Sequence, residues 1–467
     1  ISKEGKAWQW LPGSLLSLQD GSQRPFQGDL RRLPWWAVAL LVRQLGLFAA
    51  GSVLRREPSS SIDVFDAAPV PFGLVRYGVA PDHQEVKNCI HGFEKMFNTH
   101  EPSGRLSLFC NVRIGSDVTI DELRSNYSAV LLAYGAQKPR KLQIPGADST
   151  NVITGSEMVS WYSGKPGAAA PLLNNSHVLV IGNGNVALDC ARVLCLGGQR
   201  LRDKDVPEHV LSALESSAIR TIRIIGRRSA ADVSFTIKEL REQFRLGGGW
   251  KSLVCLSSEE KQQLESAQLK MERPKKRITQ VLLDNTGSLL ADEEDMTCSF
   301  HFNRVPKQIV KDHDGRVNSA VLSRADGTSE VVPAGLVIAS LGYEPVILQG
   351  LPVNEKGTLA LVAGSMRVDM PSGSPVFAAG WCARGPKGVI ADSQQGAAAV
   401  AQELCQALPR DSNHQGVQSL LEKRKVHFIS WKKWLEIDKE ERQSGEKSGK
   451  IREKMVNFDK YIDTKKQ

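Results

Sequence analysis

The sequence predicts an α/β fold made of two Rossmann-like parallel-sheet domains, one inserted into the other, on three observations. An apolar strand, His177 to Ile181, runs into the glycine-rich turn Gly182-Asn183-Gly184-Asn185-Val186-Ala187, which opens a helix. A second short strand, Ile62 to Asp66, ends in an acid 20 residues after Gly46. Two apolar strands, Ala129 to Ala136 and Gly335 to Gly342, flank the first unit symmetrically and make it read as an insertion between two halves of another domain.

At 467 residues the chain exceeds one ordinary core, so two or three domains are expected. The pattern divides it into an atypical extension over 1–36, a discontinuous domain over 37–144 and 335–467, and an inserted domain over 145–334. Starting at Ile1 rather than Met, the chain is expected to be a fragment or the product of a misassembled gene. The apolar run Leu33 to Val42 stops at Arg43 and Gln44, too short to span a bilayer. Residues 1–36 mix Lys3, Lys6, Arg24, Arg31 and Arg32 with Glu4, Asp20 and Asp29, acids that a transit peptide avoids.

In the inserted domain a helix is expected from about Val186 to Leu196, with Ala187, Cys190, Ala191 and Leu194 on one small apolar face and Gly197-Gly198 ending it. Thr221 to Ile225 is the next parallel strand, joined by a right-handed crossover. Lys165 to Asn175, rich in Gly, Ala and Pro, connects into the unit. Farther on, Pro375 to Val400 reads as a strand, a glycine-rich turn and an alanine-rich helix. From Glu422 the chain is Lys-rich and reads as a solvated extension anchored by Trp431 and Trp434.

The turn carries chemistry. Gly182 permits a tight bend, Gly184 lets a pyrophosphate approach the backbone, and Ala187 lets helix and strand pack closely. Phosphate charge then rests on the helix N-terminus. Where an NAD site places an acid, this chain has Arg227 and Arg228, whose guanidiniums suit a 2′-phosphate and favour NADP(H). They lie beyond the usual spacing, so an insertion must occupy the crossover. A nicotinamide needs a hydride acceptor, and without a Ser-Tyr-Lys set a further cofactor is the natural inference. Asp66 is placed to meet an adenosine ribose, but Leu41-Val42-Arg43-Gln44-Leu45 supplies no glycine where the first two of that fingerprint belong.

Composition narrows the classes. A net charge of +9 suits an acidic protein, an anionic membrane or a phosphorylated ligand. No zinc-finger, RNA-binding or basic-heptad pattern supports nucleic acid. Eight cysteines without a C-x-x-C pair predict free thiols in a reducing compartment and argue against a flavin disulfide reductase.

Pro69 to His83 (PVPFGLVRYGVAPDH), Gly184 to Asp189, Phe235 to Glu242, Gly380-Trp381 and Arg384 to Ile390 closely resemble the adrenodoxin reductase family, over roughly residues 46–460. The resemblance implies a glutathione-reductase-like FAD/NAD(P)-binding fold with the NADP domain inserted in the FAD domain. It implies FAD contacts at Leu45, Asp66, Leu74, Ile114, Trp381, Gly388, Val389 and Ile390, and NADP contacts at Asn183, Gly184, Asn185, Val186, Arg227, Arg228, Glu239 and Gly388. His83 and Glu239 are the catalytic candidates, for positioning and proton balance. The implied activity passes electrons from NADPH through FAD to an adrenodoxin-like [2Fe-2S] ferredoxin, serving P450 steroid hydroxylation and iron–sulfur cluster assembly. The implied setting is a monomer in the mitochondrial matrix or peripheral to the inner membrane. Arg241 and Arg245 would share a helix face for the ferredoxin if 235–245 is helical. Two alternatives stand beside it: a non-catalytic variant that binds NADP(H) but not FAD, and another NADPH-dependent flavin reductase.

Overall fold

Strands buried on both faces need apolar residues at nearly every position, and the centres of both sheets have them. In the first sheet β1 (Trp36–Val42) pairs in parallel with β2 (Ser60–Asp66) and β4 (Ala129–Ala133), β2 pairs with β3 (Leu106–Cys110), and β4 pairs with β16 (Val376–Ala378). The order is β16-β4-β1-β2-β3. The computed structural model describes residues 36–42, 44–288, 296–385, 390–408 and 416–462. The extension expected over 1–36, apart from the first residue of β1, lies outside them.

One face of this sheet is covered by α1 (Gln44–Arg56) and a long helix, Ile390–Ala407, which bury Leu47, Ala50, Val53, Val400 and Leu404 together. The other face packs Leu41, Phe65, Leu132 and Cys382 with the segment around Leu351 and Val368.

The second sheet has the order β6-β14-β7-β8-β10-β9. Its strands are β6 (Val152–Thr154), β7 (His177–Ile181), β8 (Thr221–Ile225), β9 (Trp250–Cys255), β10 (Met296–His301) and β14 (Leu336–Ala339). From β7 outward both sheets repeat one doubly wound order, with the first strand beside the point where the order reverses. A three-stranded antiparallel sheet, β11 (Val305–Lys311), β12 (Val317–Ser323) and β13 (Ser329–Pro333), covers one face through Ile309, Val317 and Leu322; helices cover the other.

The boundary expected at 335 moves. The strand after it is β14, in register with Val178–Ile181 of β7, so the chain returns to the first domain only after Ala339. The two crossing segments are paired: β5 (Lys138–Pro139) runs antiparallel to β15 (Tyr343–Glu344).

Other expectations meet the same test. The helix after the glycine turn, α2 (Asn185–Leu201), loses helical geometry at Gly197, φ 67°, where the glycine pair was expected to end it. The insertion required in the crossover is α3 (Glu208–Glu215). The C-terminal part is no solvated extension: α5 (Trp431–Lys447) buries Trp431 and Trp434 against Phe72 and Phe97. A fully buried aromatic side chain removes 150–250 Å² from water, roughly several kcal/mol each.

Candidate dinucleotide site and interdomain polar cluster

At the carboxyl end of β7 the turn is shaped for phosphate. Gly182 has φ 130°, and a Cβ there would stand 2.2 Å from the Ser340 carbonyl oxygen, so no side chain fits. A Cβ on Gly184, which caps α2, would meet nothing within 4 Å. That open space faces the first turn of a 17-residue helix, where unpaired N–H groups and the helix dipole attract an anion. Asn183 fills the space over Gly226, and its Oδ1 is buried with no hydrogen-bond partner among the described residues.

Asn185 instead serves the scaffold: its Oδ1 accepts from Thr236 N–H at 2.8 Å, tying the turn to α4 (Ile237–Gln243). Val186 packs at Gly155. Arg227 and Arg228 follow β8 after Gly226 and are exposed, with Arg228 Nη2 donating to Ser234 Oγ at 3.0 Å.

The FAD-side residues present a mixed fit. Asp66 ends β2, and its Oδ1 accepts from Ala68 N–H at 2.9 Å. Ile114 is buried beside β3; Leu74 lies on a short helix, close enough to Gly78 that a Cβ there would strike Leu74 Cδ1 at 2.2 Å. Trp381 stands 6.1 Å from the Tyr343 ring. Asp66 therefore sets a carboxylate at the end of β2, while Leu41, Val42 and Leu45 around the turn after β1 are large and apolar rather than glycines. β1 runs to Val42 and α1 begins at Gln44. Leu41 and Leu45 are both buried, and a Cβ at Gly380 would stand 3.1 Å from Leu45 Cδ1. Leu45 thus fills the space between this helix end and the Gly380 turn instead of leaving it to a phosphate. Gln44, the first residue of α1, has its Oε1 buried with no hydrogen-bond partner among the described residues. Gly388 and Val389 lie outside the described residues, as does the side chain of Ile390.

The catalytic candidates converge where the domains meet. His83, buried, has Nε2 at 2.8 Å from Glu242 Oε2 and at 3.8 Å from Glu239 Oε2. The nearer partner of Glu239 is Arg192, whose Nη1 donates at 2.9 Å. Arg192, 2% exposed, also donates to Asp82 at 2.6 Å and to Asp189 at 2.6 Å, and its Nη2 lies 3.1 Å from His83 Nε2. One guanidinium so joins Asp82 and His83 of the first domain to Asp189 and Glu239 of the second, a use suited to its fixed fork of donors.

Burial, reinforced by Glu239 and opposed by Arg192, raises the Asp189 carboxyl to about 7. Burial would raise Asp82 as well, but Arg192 overcomes it and the net shift is downward. The cluster therefore holds one carboxyl able to exchange a proton near neutrality beside Asp82, which Arg192 holds ionised.

Arg192, Asp82, Asp189 and Glu242 were not singled out from sequence. The available signal was an arginine at helical spacing beside the apolar face of Cys190, Ala191 and Leu194, where a charge must find partners. The expected shared face of Arg241 and Arg245 changes too: the helix ends at Gln243, so Arg245 lies past its cap, although both are exposed.

Fold and site together define a pyridine-nucleotide oxidoreductase with two dinucleotide-binding domains. No family model matches the chain. NADPH:adrenodoxin oxidoreductase from Salvelinus fontinalis is 34% identical over 89% of this chain and 88% of its own length. The Homo sapiens protein of that name is 35% identical over 88% of each, and the Arabidopsis thaliana one 33% over 89% and 92%. FprA from Mycobacterium tuberculosis, an oxidoreductase also solved in complex with NADPH, superposes with a TM-score of 0.82 at 29% identity, covering 92% of this chain and 99% of its own. The chain belongs to the NADPH:adrenodoxin oxidoreductase family, whose members are FAD- and NADP(H)-dependent oxidoreductases.

Proposed function

We propose that this chain takes reducing equivalents from NADPH and delivers them to an adrenodoxin-like [2Fe-2S] ferredoxin. The observation that carries the reading is one helix, α2, with an open phosphate turn at its N-terminus and the His83-bearing cluster along its side. The turn and the α2 N-terminus bind the pyrophosphate, and Arg227 and Arg228 hold the 2′-phosphate. His83, Glu239 and Arg192 align the two domains at the nicotinamide, while Asp189 keeps a proton available beside them. A bound flavin supplies the conversion from two-electron to one-electron chemistry.

Arg241 and Arg245 are offered to the acidic ferredoxin, as expected for a transient, salt-sensitive electron-transfer encounter. R241E should raise the ferredoxin KM and leave NADPH-driven ferricyanide reduction unchanged; equal loss in both assays would remove this surface from the reading. A mitochondrial matrix setting, peripheral to the inner membrane, is consistent with relatives named mitochondrial and with exposed Lys270, Arg273, Lys275, Lys276 and Arg277 facing solvent. Steroid hydroxylation and cluster assembly are the processes such a ferredoxin would serve.

The filled turn at Leu45 favours a second reading, a chain that binds NADP(H) and holds FAD weakly or not at all. Purification decides between them. A yellow protein that reduces cytochrome c with NADPH only when ferredoxin is present supports the reductase; a protein that stays colourless after reconstitution with excess FAD refutes it.

A further inference from the structure

The segment after α5 folds back over Gly445 in the helix's last turn, where a Cβ would meet Arg452 Cα at 2.4 Å, and enters the seam between the two domains. Lys454, with a side chain 1% exposed, makes three contacts there. Its Nζ donates to the Arg76 carbonyl of the first domain at 3.1 Å and to the Ser163 carbonyl of the second at 3.0 Å, and pairs with Asp205 Oδ2 at 3.0 Å. Three acceptors match the three protons of an ammonium.

Asp205, 4% exposed, follows α2. It also accepts from Lys87 Nζ at 2.7 Å and from Gln84 Nε2 at 2.7 Å, both of the first domain. A few residues earlier, Lys450 donates to the Val206 carbonyl at 3.3 Å and pairs with Glu208 at 2.8 Å. The segment is itself anchored on α5, where Glu441 accepts from Met455 N–H at 2.8 Å and from Arg452 at 3.0 Å, and grips Arg76.

The helix that carries the phosphate turn is therefore held to the first domain at two places. Near its middle, Arg192 meets Asp82 and His83; just past its end, Asp205 meets Gln84, Lys87 and Lys454. The first-domain residues Asp82, His83, Gln84 and Lys87 are nearly consecutive, so the second contact sets the turn that presents His83 to the first. We propose that Lys454 is a positioning residue for transfer from the nicotinamide: with Asp205 and Lys87 it fixes the angle between α2 and the His83 turn, and so the relative orientation of the domains. The C-terminal segment is the strap that delivers it. This rests on the electron-transfer reading for its kinetic consequence only.

The test compares the full chain with K454M and, separately, D205N. Three quantities are measured: the NADP+ dissociation constant, kcat and KM for NADPH-driven ferricyanide reduction, and the calorimetric melting profile. The phosphate turn and Arg227-Arg228 are untouched, so NADP+ affinity and the NADPH KM should stay within about twofold, while kcat falls about tenfold and single melting becomes two transitions. A melting profile that stays single with kcat within twofold overturns the proposal, as does a loss of NADP+ affinity equal to the loss in kcat, which would place the damage inside one domain.

Should neither variant fold, hydrogen exchange on the unaltered chain decides. Amides of Glu453 and Met455 should open together with those of Val86 and Lys204 in one slow step; exchange at loop rates sinks the strap. An unaltered chain with no NADPH-driven reduction would refute the function proposed above, and the melting and exchange results would still judge the strap.

Discussion

The βα turns at the ends of β1 and β7 occupy equivalent places, the first strand of a doubly wound sheet next to its reversal point, yet they are built differently. Between β7 and α2 stand Gly182, Asn183 and Gly184; between β1 and α1 stands Arg43 alone. Counting back from Gly46 and Ala187, each the third residue of its helix, Leu41 takes the place of Gly182 and Arg43 that of Gly184. The strand has lengthened, the helix starts at once, and Leu41 and Leu45 join the apolar layers on either side of the sheet. Phosphate recognition and sheet architecture are thus separable: the fold needs only a small residue where helix crosses strand, and both turns keep it, while the ligand needs backbone that side chains leave bare.

The most severe way to break the comparison is to give the second turn the character of the first. In Gly184→Leu the added side chain enters open space, so the fold should survive with an unchanged circular dichroism spectrum. The pyrophosphate would lose its approach to the helix N-terminus, and NADP+ affinity should fall by more than about 100-fold, the loss of two or more charge-assisted hydrogen bonds at about 1.5–3 kcal/mol each. Calorimetric titration checks it; affinity within tenfold of the parent would mean the turn does not hold the phosphates.

A milder change separates the phosphates. Arg227→Ala with Arg228→Ala should leave NADH use unaltered and reduce NADPH preference about 10- to 100-fold, since the 2′-phosphate loses its charged donors. The ratio of kcat/KM for the two nucleotides reads this directly. No change in that ratio would make the arginines a solvated turn.

The reverse exchange sharpens the comparison at the flavin side. Leu41→Gly, Arg43→Gly and Leu45→Ala together should raise FAD affinity at least about tenfold, measured as flavin retained through gel filtration, because a bare turn regains its anion site. Two buried leucines are lost, each at about 2–5 kcal/mol, so a fall in Tm is the expected accompaniment. Equal flavin retention in parent and variant would show that Leu45 does not occupy the pyrophosphate's place.

How much of this was legible depended on whether the signal was local. The strands His177–Ile181 and Thr221–Ile225 are contiguous apolar runs bounded by turn residues, and they fold at those limits. The missing glycines before Gly46 were legible too, because the requirement is stereochemical and belongs to single positions. The pairing of Leu336–Ala339 was not: an apolar strand carries no label for the sheet it joins, and its register with Val178–Ile181 is set by tertiary packing. The seam was hidden for a related reason. Arg192 and Asp205 lie far in sequence from the Asp82–Lys87 stretch and from Lys454, and each alone reads as a surface charge. Only the fold reveals that Lys454, in a Lys-rich tail, buries its side chain inside the molecule.

Charge also divides the two helices behind the turns, and a titration reads the division. α1 buries Leu47, Ala50, Val53 and Leu54 with no ionisable group, whereas α2 buries Arg192 and carries the half-buried Asp189 paired with it. Asp189 in the folded chain holds its proton to about 7, against an ordinary 3.8. Between those values the folded state is the more protonated, so this group's contribution to stability is full at low pH and falls as pH rises from about 4 to 7. Asp82, depressed by Arg192, works in the opposite sense, its contribution falling away as pH drops through its lowered value. The difference between parent and Asp189→Asn isolates the first effect, since an amide cannot titrate. The variant should lose the Asp189 component of the slope, and the parent-minus-variant Tm difference should shrink by several °C between pH 4.5 and pH 7.5, since a carboxyl raised from 3.8 to about 7 loses on the order of 3 kcal/mol of stability across that window. A difference that stays level across that window would mean Asp189 remains ionised beside Arg192, and the proton assigned to the nucleotide helix would have to reside elsewhere.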